Sequence, residues 1–171
     1  MRWGLVVLLT LGSCTRSDAP APTLVSNTVA ARAPSTGRPP VLVLLHGLGA
    51  NEQDLLALAP DLDPRFELVA LRAPNQVGPD RYGWFETRFT PQGPVHDSAG
   101  AEASRQKVVA SLKALRARTD RLSLLGFSQG AILSLSIALT EPRLVDDVIA
   151  ISGRTLDEVS ARSTQCPLAP R

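Results

Sequence analysis

The sequence predicts one α/β domain, a mostly parallel sheet flanked by helices, carried behind an N-terminal leader and tether. Three observations lead there. Over 171 residues, 44% apolar and 20% charged, the composition is that of a single globular domain. Four strand-like segments stand at residues 41–45, 66–71, 122–127 and 145–151, and the first, apolar throughout, has the pattern of a strand covered on both faces. Segments with helical spacing separate them, and strands alternating with helices build parallel sheets through right-handed crossovers.

Taken in order, Met1-Arg2-Trp3 carries a positive charge, residues 4–11 are apolar and Gly12-Ser13 are small, so residues 1–13 read as a signal peptide. The apolar run is well short of the ~20 residues that span a bilayer. Leu11-Gly12-Ser13-Cys14 resembles the lipobox of bacterial lipoproteins, in which the cysteine becomes the lipidated first residue. The alternative is an ordinary leader with Cys14 incidental. Thr15 after the cysteine resembles the outer-membrane signal, so the expected location is the bacterial cell envelope, with membrane contact through the lipid anchor only. Residues 14–40 are rich in Ala, Pro, Ser and Thr and hold five of the chain's 14 prolines, the composition of a disordered tether. Residues 41–171 are left for the folded domain.

The formal charge of +2 has its source in this leader and tether. Arg2, Arg16, Arg32 and Arg38 stand there against Asp18, and from residue 41 on 14 basic residues face 15 acidic ones. A basic face for nucleic acid is excluded. Two cysteines without a Cys-x-x-Cys pair argue against a disulfide framework and against a structural metal site.

Within the domain, residues 41–45 form the first strand, closed by His46-Gly47-Leu48-Gly49. Asn51 caps a helix, with Asp54 completing a shortened capping box and Leu55, Leu58 and Leu62 on one side. Residues 66–71 form the second strand, stopped at Ala73-Pro74. The stretch from 75 to 100, with Gly, Pro and aromatics but no period, reads as one long loop. Residues 101–118 are helical, 122–127 a third strand, 129–139 a buried helix ending before Pro142, and 145–151 a fourth strand.

The chemistry concentrates at Gly126-Phe127-Ser128-Gln129-Gly130, between an apolar strand and an apolar helix. This is the frame a nucleophile elbow needs: Ser128 sits on a strained turn, while Gly126 and Gly130 let strand and helix backbones close up beneath it. The amide of Gln129, at the start of the helix, faces any oxyanion formed there. The alternative is a simple tight turn. His46-Gly47-Leu48-Gly49 offers the amide of Leu48 as a second donor, the alternative being a strand-end turn whose glycines only supply unusual angles.

These motifs, with Arg72-Ala73-Pro74, Tyr82-Gly83-Trp84-Phe85 and Ile151-Ser152-Gly153, resemble in kind and order the phospholipase/carboxylesterase branch of the α/β-hydrolase fold, which includes acyl-protein thioesterases. The resemblance implies hydrolysis of a small carboxylic ester or thioester without a cofactor. It also implies Ser128 as nucleophile, Leu48 and Gln129 as oxyanion donors, and Trp84 with Phe85 lining the acyl pocket. Trp84 and Phe85 read equally well as buried loop anchors.

The resemblance breaks after Ser128. A serine nucleophile needs a base and the base an orienting acid, and in this fold they follow in the order Ser, Asp or Glu, His. The sequence has no histidine beyond His96. The expectation is a product truncated or frame-shifted at its C-terminus, lacking two strand–helix units of roughly 30 residues each and leaving a sheet edge open. His46 is expected to hold its loop by hydrogen bonds, and His96, beside Asp97, to be a poor base. Glu141, Asp146, Asp147, Asp157 and Glu158 read as solvated charges, and Cys166 as incidental. A non-catalytic envelope lipoprotein that binds an acyl ligand, or an inactive remnant, is the alternative function.

Overall fold

The computed structural model describes residues 24–33, 37–157 and 159. The leader, Cys14 and Cys166 lie outside the described residues. In chain order the elements are β1 (Ser26–Val29), β2 (Val41–Leu45), a 3-10 turn (Asp54–Leu58), β3 (Glu67–Leu71), β4 (Asn75–Gly78), β5 (Arg81–Gly83), β6 (Thr87–Thr90), β7 (Gly93–His96), α1 (Ser98–Arg116), β8 (Leu122–Phe127), α2 (Gln129–Thr140) and β9 (Asp147–Ile151).

Five strands form the main sheet in the order β1-β3-β2-β8-β9. β2 pairs parallel with both β3 and β8, and β9 runs parallel to β8. Every residue of β2 is buried, as its uninterrupted apolar run requires, and alternate side chains feed two layers. Val41, Val43 and Leu45 join Val108 and Leu112 of α1 and Ile132, Leu133 and Ile137 of α2. Leu42 and Leu44 join Leu68, Ala70 and Leu125 beneath Leu55, Leu56, Leu62 and Phe66. This is the mostly parallel α/β-hydrolase-type sheet that the sequence predicts.

Three expectations are corrected. Within the expected tether, Ser26–Val29 is a strand, antiparallel to β3 in the register Ser26↔Leu71 to Val29↔Leu68. The free edge of β3 recruits this short, half-exposed segment, a tertiary pairing that local composition does not encode. After Asn51 there is a 3-10 turn rather than an α-helix. The reciprocal cap does form, with Gln53 N donating to Asn51 Oδ1 at 2.7 Å and Asn51 N to Asp54 Oδ2 at 3.1 Å, but Pro60 and Pro64 leave no room for further helical turns. The expected long loop is two hairpins, β4–β5 and β6–β7, and the helix after it starts at Ser98, where Ala99 N donates to Asp97 Oδ1 at 3.1 Å.

β2 and β8 are neighbours, so the loops after them, at residues 46–50 and 127–128, emerge side by side. There the connection leads one way to β3 and the other way to β8 and β9, and the crevice beyond such a divergence is where open α/β sheets bind ligands.

Candidate active site

Ser128 sits between the end of β8 and the start of α2 at φ +53°, ψ −114°, a conformation that L-residues avoid and that surrounding structure must impose. The imposition is visible. A Cβ on Gly130 would lie 2.0 Å from the Leu45 carbonyl oxygen, and one on Gly126 would lie 2.5 Å from the Gly130 carbonyl group, so only glycine lets α2 pack this close to β2 and β8. From β9, the Ile151 carbonyl accepts from Ser128 N at 2.9 Å.

The turn after β2 closes over the same point. Gly47 lies against the Phe127 ring and Ser128 Cβ, which brings the Leu48 amide beside the serine, and Gly49 takes φ +80°. Among the described residues no acceptor engages the amides of Leu48 or Gln129. Two unspent N–H groups thus flank the Ser128 turn, one from the loop and one from the helix N-terminus, where the helix dipole favours negative charge.

His46 is buried, and its hydrogen bonds assign its tautomer. Nδ1 donates to the Gly47 carbonyl at 2.7 Å and Nε2 accepts from Ala73 N at 3.1 Å. Its own carbonyl accepts from Trp84 Nε1 at 2.8 Å. Burial pushes the imidazole pKa below its ordinary 6.5, so the ring is neutral and committed on both sides. It ties the ends of β2, β3 and β5 together and holds no proton-transfer site free for Ser128.

Gln129 is buried too, and its carboxamide faces away from solvent. Nε2 donates to the Phe85 carbonyl at 2.8 Å and to Thr87 Oγ1 at 2.9 Å, while Oε1 accepts from Trp84 N at 2.9 Å. Thr87 Oγ1 also lies 3.0 Å from His96 Nδ1, and the Phe85 ring meets the His96 ring edge-on at 5.5 Å.

Ser128 opens into a cavity of about 300 Å³ walled by Leu48, Phe89, Pro94, His96, Ile132 and Arg154. Trp84 is not part of that wall. It is fully buried in the main core, because its indole N–H is spent on His46, and it anchors the loop. Phe85 is also buried and borders a second cavity of about 570 Å³, which Leu48 lines as well. The aromatic part of that wall, Phe89 and His96 with Pro94, instead comes from the β6–β7 hairpin. Its signal is Thr90-Pro91-Gln92-Gly93, a turn with Pro second and Gly fourth between two short runs.

Three of the acids that follow Ser128 are engaged elsewhere, while Glu158 lies outside the described residues. Asp146 pairs with Arg116 and Asp147 with Arg121, at the opposite end of the strands from the serine, and Glu141 pairs with Arg105. His96 is therefore the imidazole that shares the serine's cavity.

A phospholipase/carboxylesterase family model matches residues 27–169. Among solved structures, esterase PE8 is similar at 32% identity and TM-score 0.68, over 81% of this chain and 69% of that one. A carboxylesterase from Mesorhizobium loti is similar at 28% identity and TM-score 0.65, over 77% of this chain and 62% of that one. Zea mays acyl-protein thioesterase 2, at 22% identity and TM-score 0.68, shares the fold over 84% of this chain and 68% of its own. No curated protein sequence matches. With the family model spanning most of the chain and the strand–turn–helix around Ser128 in place, the protein belongs to the phospholipase/carboxylesterase family of α/β-hydrolases.

Proposed function

We propose that the chain acts on small carboxylic esters or thioesters with an apolar acyl group, through Ser128 as nucleophile. The observation that carries this is the Ser128 turn at positive φ, facing an apolar cavity between the free amides of Leu48 and Gln129. In the proposed steps Ser128 Oγ attacks the acyl carbonyl, its proton passes to a base and the carbonyl oxygen gathers charge between the two amides; the ester C–O or thioester C–S bond then breaks, the alcohol or thiol leaves with that proton, and water cleaves the acyl-serine to release the acid and restore Ser128. An amide pair of this kind contributes the largest single share of acyl-transfer catalysis, roughly 100- to 1000-fold per donor. No cofactor takes part in the step.

The base decides between two readings. Turnover requires an imidazole beside Ser128, and with both ring nitrogens of His46 engaged, His96 is the side chain in reach of the cavity. The second reading, an acyl-binding protein that does not turn over, draws support from that same commitment of His46. A fluorophosphonate probe separates them from inert protein: labelling that Ser128→Ala abolishes supports the nucleophile, and no labelling of folded protein defeats it. Steady hydrolysis of an activated ester that His96→Gln suppresses supports turnover. Binding of an acyl analogue without hydrolysis supports the second reading.

The lipobox-like Leu11-Gly12-Ser13-Cys14 carries the proposal of a lipid anchor in the bacterial envelope. Full-length chain expressed in bacteria should fractionate with membranes and incorporate labelled palmitate, and Cys14→Ser should lose both; incorporation that persists in Cys14→Ser would sink the idea.

A further inference from the structure

We infer that the Gln129 carboxamide, acting through Thr87, positions the acyl-side wall of the Ser128 cavity and so sets selectivity for acyl length; this rests on the ester-hydrolase reading above. The backbone and the side chain of Gln129 do separate work. Its amide flanks the serine, while its side chain spends both Nε2 hydrogens and Oε1 on the strand-to-hairpin segment, at Phe85, Thr87 and Trp84. The platform beneath it cannot shift, because Gly130 brings α2 against the β2 carbonyls with no room for a methyl group.

The wall is less secure than its platform. Thr87 pairs with His96 at the open end of the β6–β7 hairpin, and Phe89 pairs with Pro94 nearer its tip. Phe89, Pro94 and His96 line the cavity, yet Phe89 is 78% exposed and the two strands pack chiefly on each other rather than on the main sheet. The Gln129–Thr87–His96 chain, at 2.9 and 3.0 Å, is thus the polar link that fixes the base of the hairpin to the helix carrying the oxyanion donor. Freed from it, the hairpin can tilt, and its apolar side chains then pack less closely on the distal part of an acyl chain. A short acyl group does not reach that far.

Labelling rates for an ethyl and an octyl fluorophosphonate test this. Thr87→Val keeps the shape and removes the hydroxyl, and Gln129→Met removes the carboxamide while retaining the backbone amide. In both, the octyl-to-ethyl ratio is expected to fall about fourfold or more, the worth of one buried methylene, with faster amide hydrogen exchange over residues 87–96. Thr87→Ser should restore ratio and protection. A ratio unchanged in Thr87→Val, or both probes slowed equally, overturns the positioning role while leaving the esterase reading intact. Folded wild-type protein that takes neither probe overturns the esterase reading, and the selectivity role with it.

Discussion

Ser128 holds a backbone conformation that costs about 1–3 kcal/mol in a residue with a Cβ. Glycine would remove that strain but cost about 0.5–1 kcal/mol in chain entropy, so strain relief wins. Ser128→Gly should therefore be more stable than Ser128→Ala by about 1 kcal/mol, read as a higher urea midpoint, while neither variant takes a fluorophosphonate. Equal midpoints would mean that the turn is unstrained. His46 carries a second prediction. Burial lowers its folded pKa below 6.5, so the unfolded chain takes up a proton that the folded chain resists. The contribution of neutral His46 is complete above pH 6.5 and is lost as pH falls below it. Urea midpoints measured from pH 7.5 to 5.5 should decline, and less steeply in His46→Gln. Glu52 acts in a lower window: its hydrogen bonds to Arg72 hold the carboxyl below its ordinary 4.5, so that contribution fades only at more acid pH. The Ser128 turn and the glycines at 47, 126 and 130 are legible in the sequence because each answers a local backbone demand. Trp84 is legible only as one of two readings, pocket wall or buried anchor, and a hydrogen bond to a carbonyl 38 residues away decides for the anchor.

Elements follow the same division. β2 is read residue for residue because a strand buried on both faces must be apolar throughout, and β8 nearly meets the same demand, its one polar side chain, Ser123, being hydrogen-bonded to Asp147. β6 and β7 escape because Thr87-Arg88-Phe89 and Pro94-Val95-His96 neither alternate nor run apolar, and their pairing is fixed by one turn and by Gln129. The start of α1 is missed by three residues for a related reason: Asp97 lies in a stretch without periodicity, and only its carboxylate on Ala99 N reveals it as a cap. Removing such a cap costs about 1 kcal/mol. Asp97→Ala should lower the urea midpoint accordingly, and Asp97→Asn, which keeps the acceptor, should recover most of it. A midpoint unmoved by Asp97→Ala would show the helix to be held by its packing on α2 alone.

Across the whole molecule, the candidate site exists because β2 stands where the sheet order diverges, which sets the loop at residues 46–50 beside the Ser128 turn. The same sheet has a sharp limit. One cross-strand row runs Ala70, Leu44, Leu125, Ile149; the first three are buried beneath Leu55, Leu56 and Phe66, whereas Ile149 is 49% exposed and its neighbours Ile151 and Phe127 are each 43% exposed. Burial thus stops between two adjacent strands of one sheet. Threonine suits an exposed strand but leaves a void and a hydroxyl in a packed one, so the same change should separate the partners. Leu125→Thr should cost roughly 2–5 kcal/mol, as large-to-small core changes do, while Ile149→Thr should stay within about 0.5 kcal/mol. An apolar patch exposed on β9, an edge strand among the described residues, also favours self-association. Ile149→Thr combined with Ile151→Thr should therefore raise the concentration at which light scattering begins, with the fluorophosphonate labelling rate as a control for an intact serine turn. Equal destabilisation by Leu125→Thr and Ile149→Thr would place Ile149 in a packed layer and remove the patch.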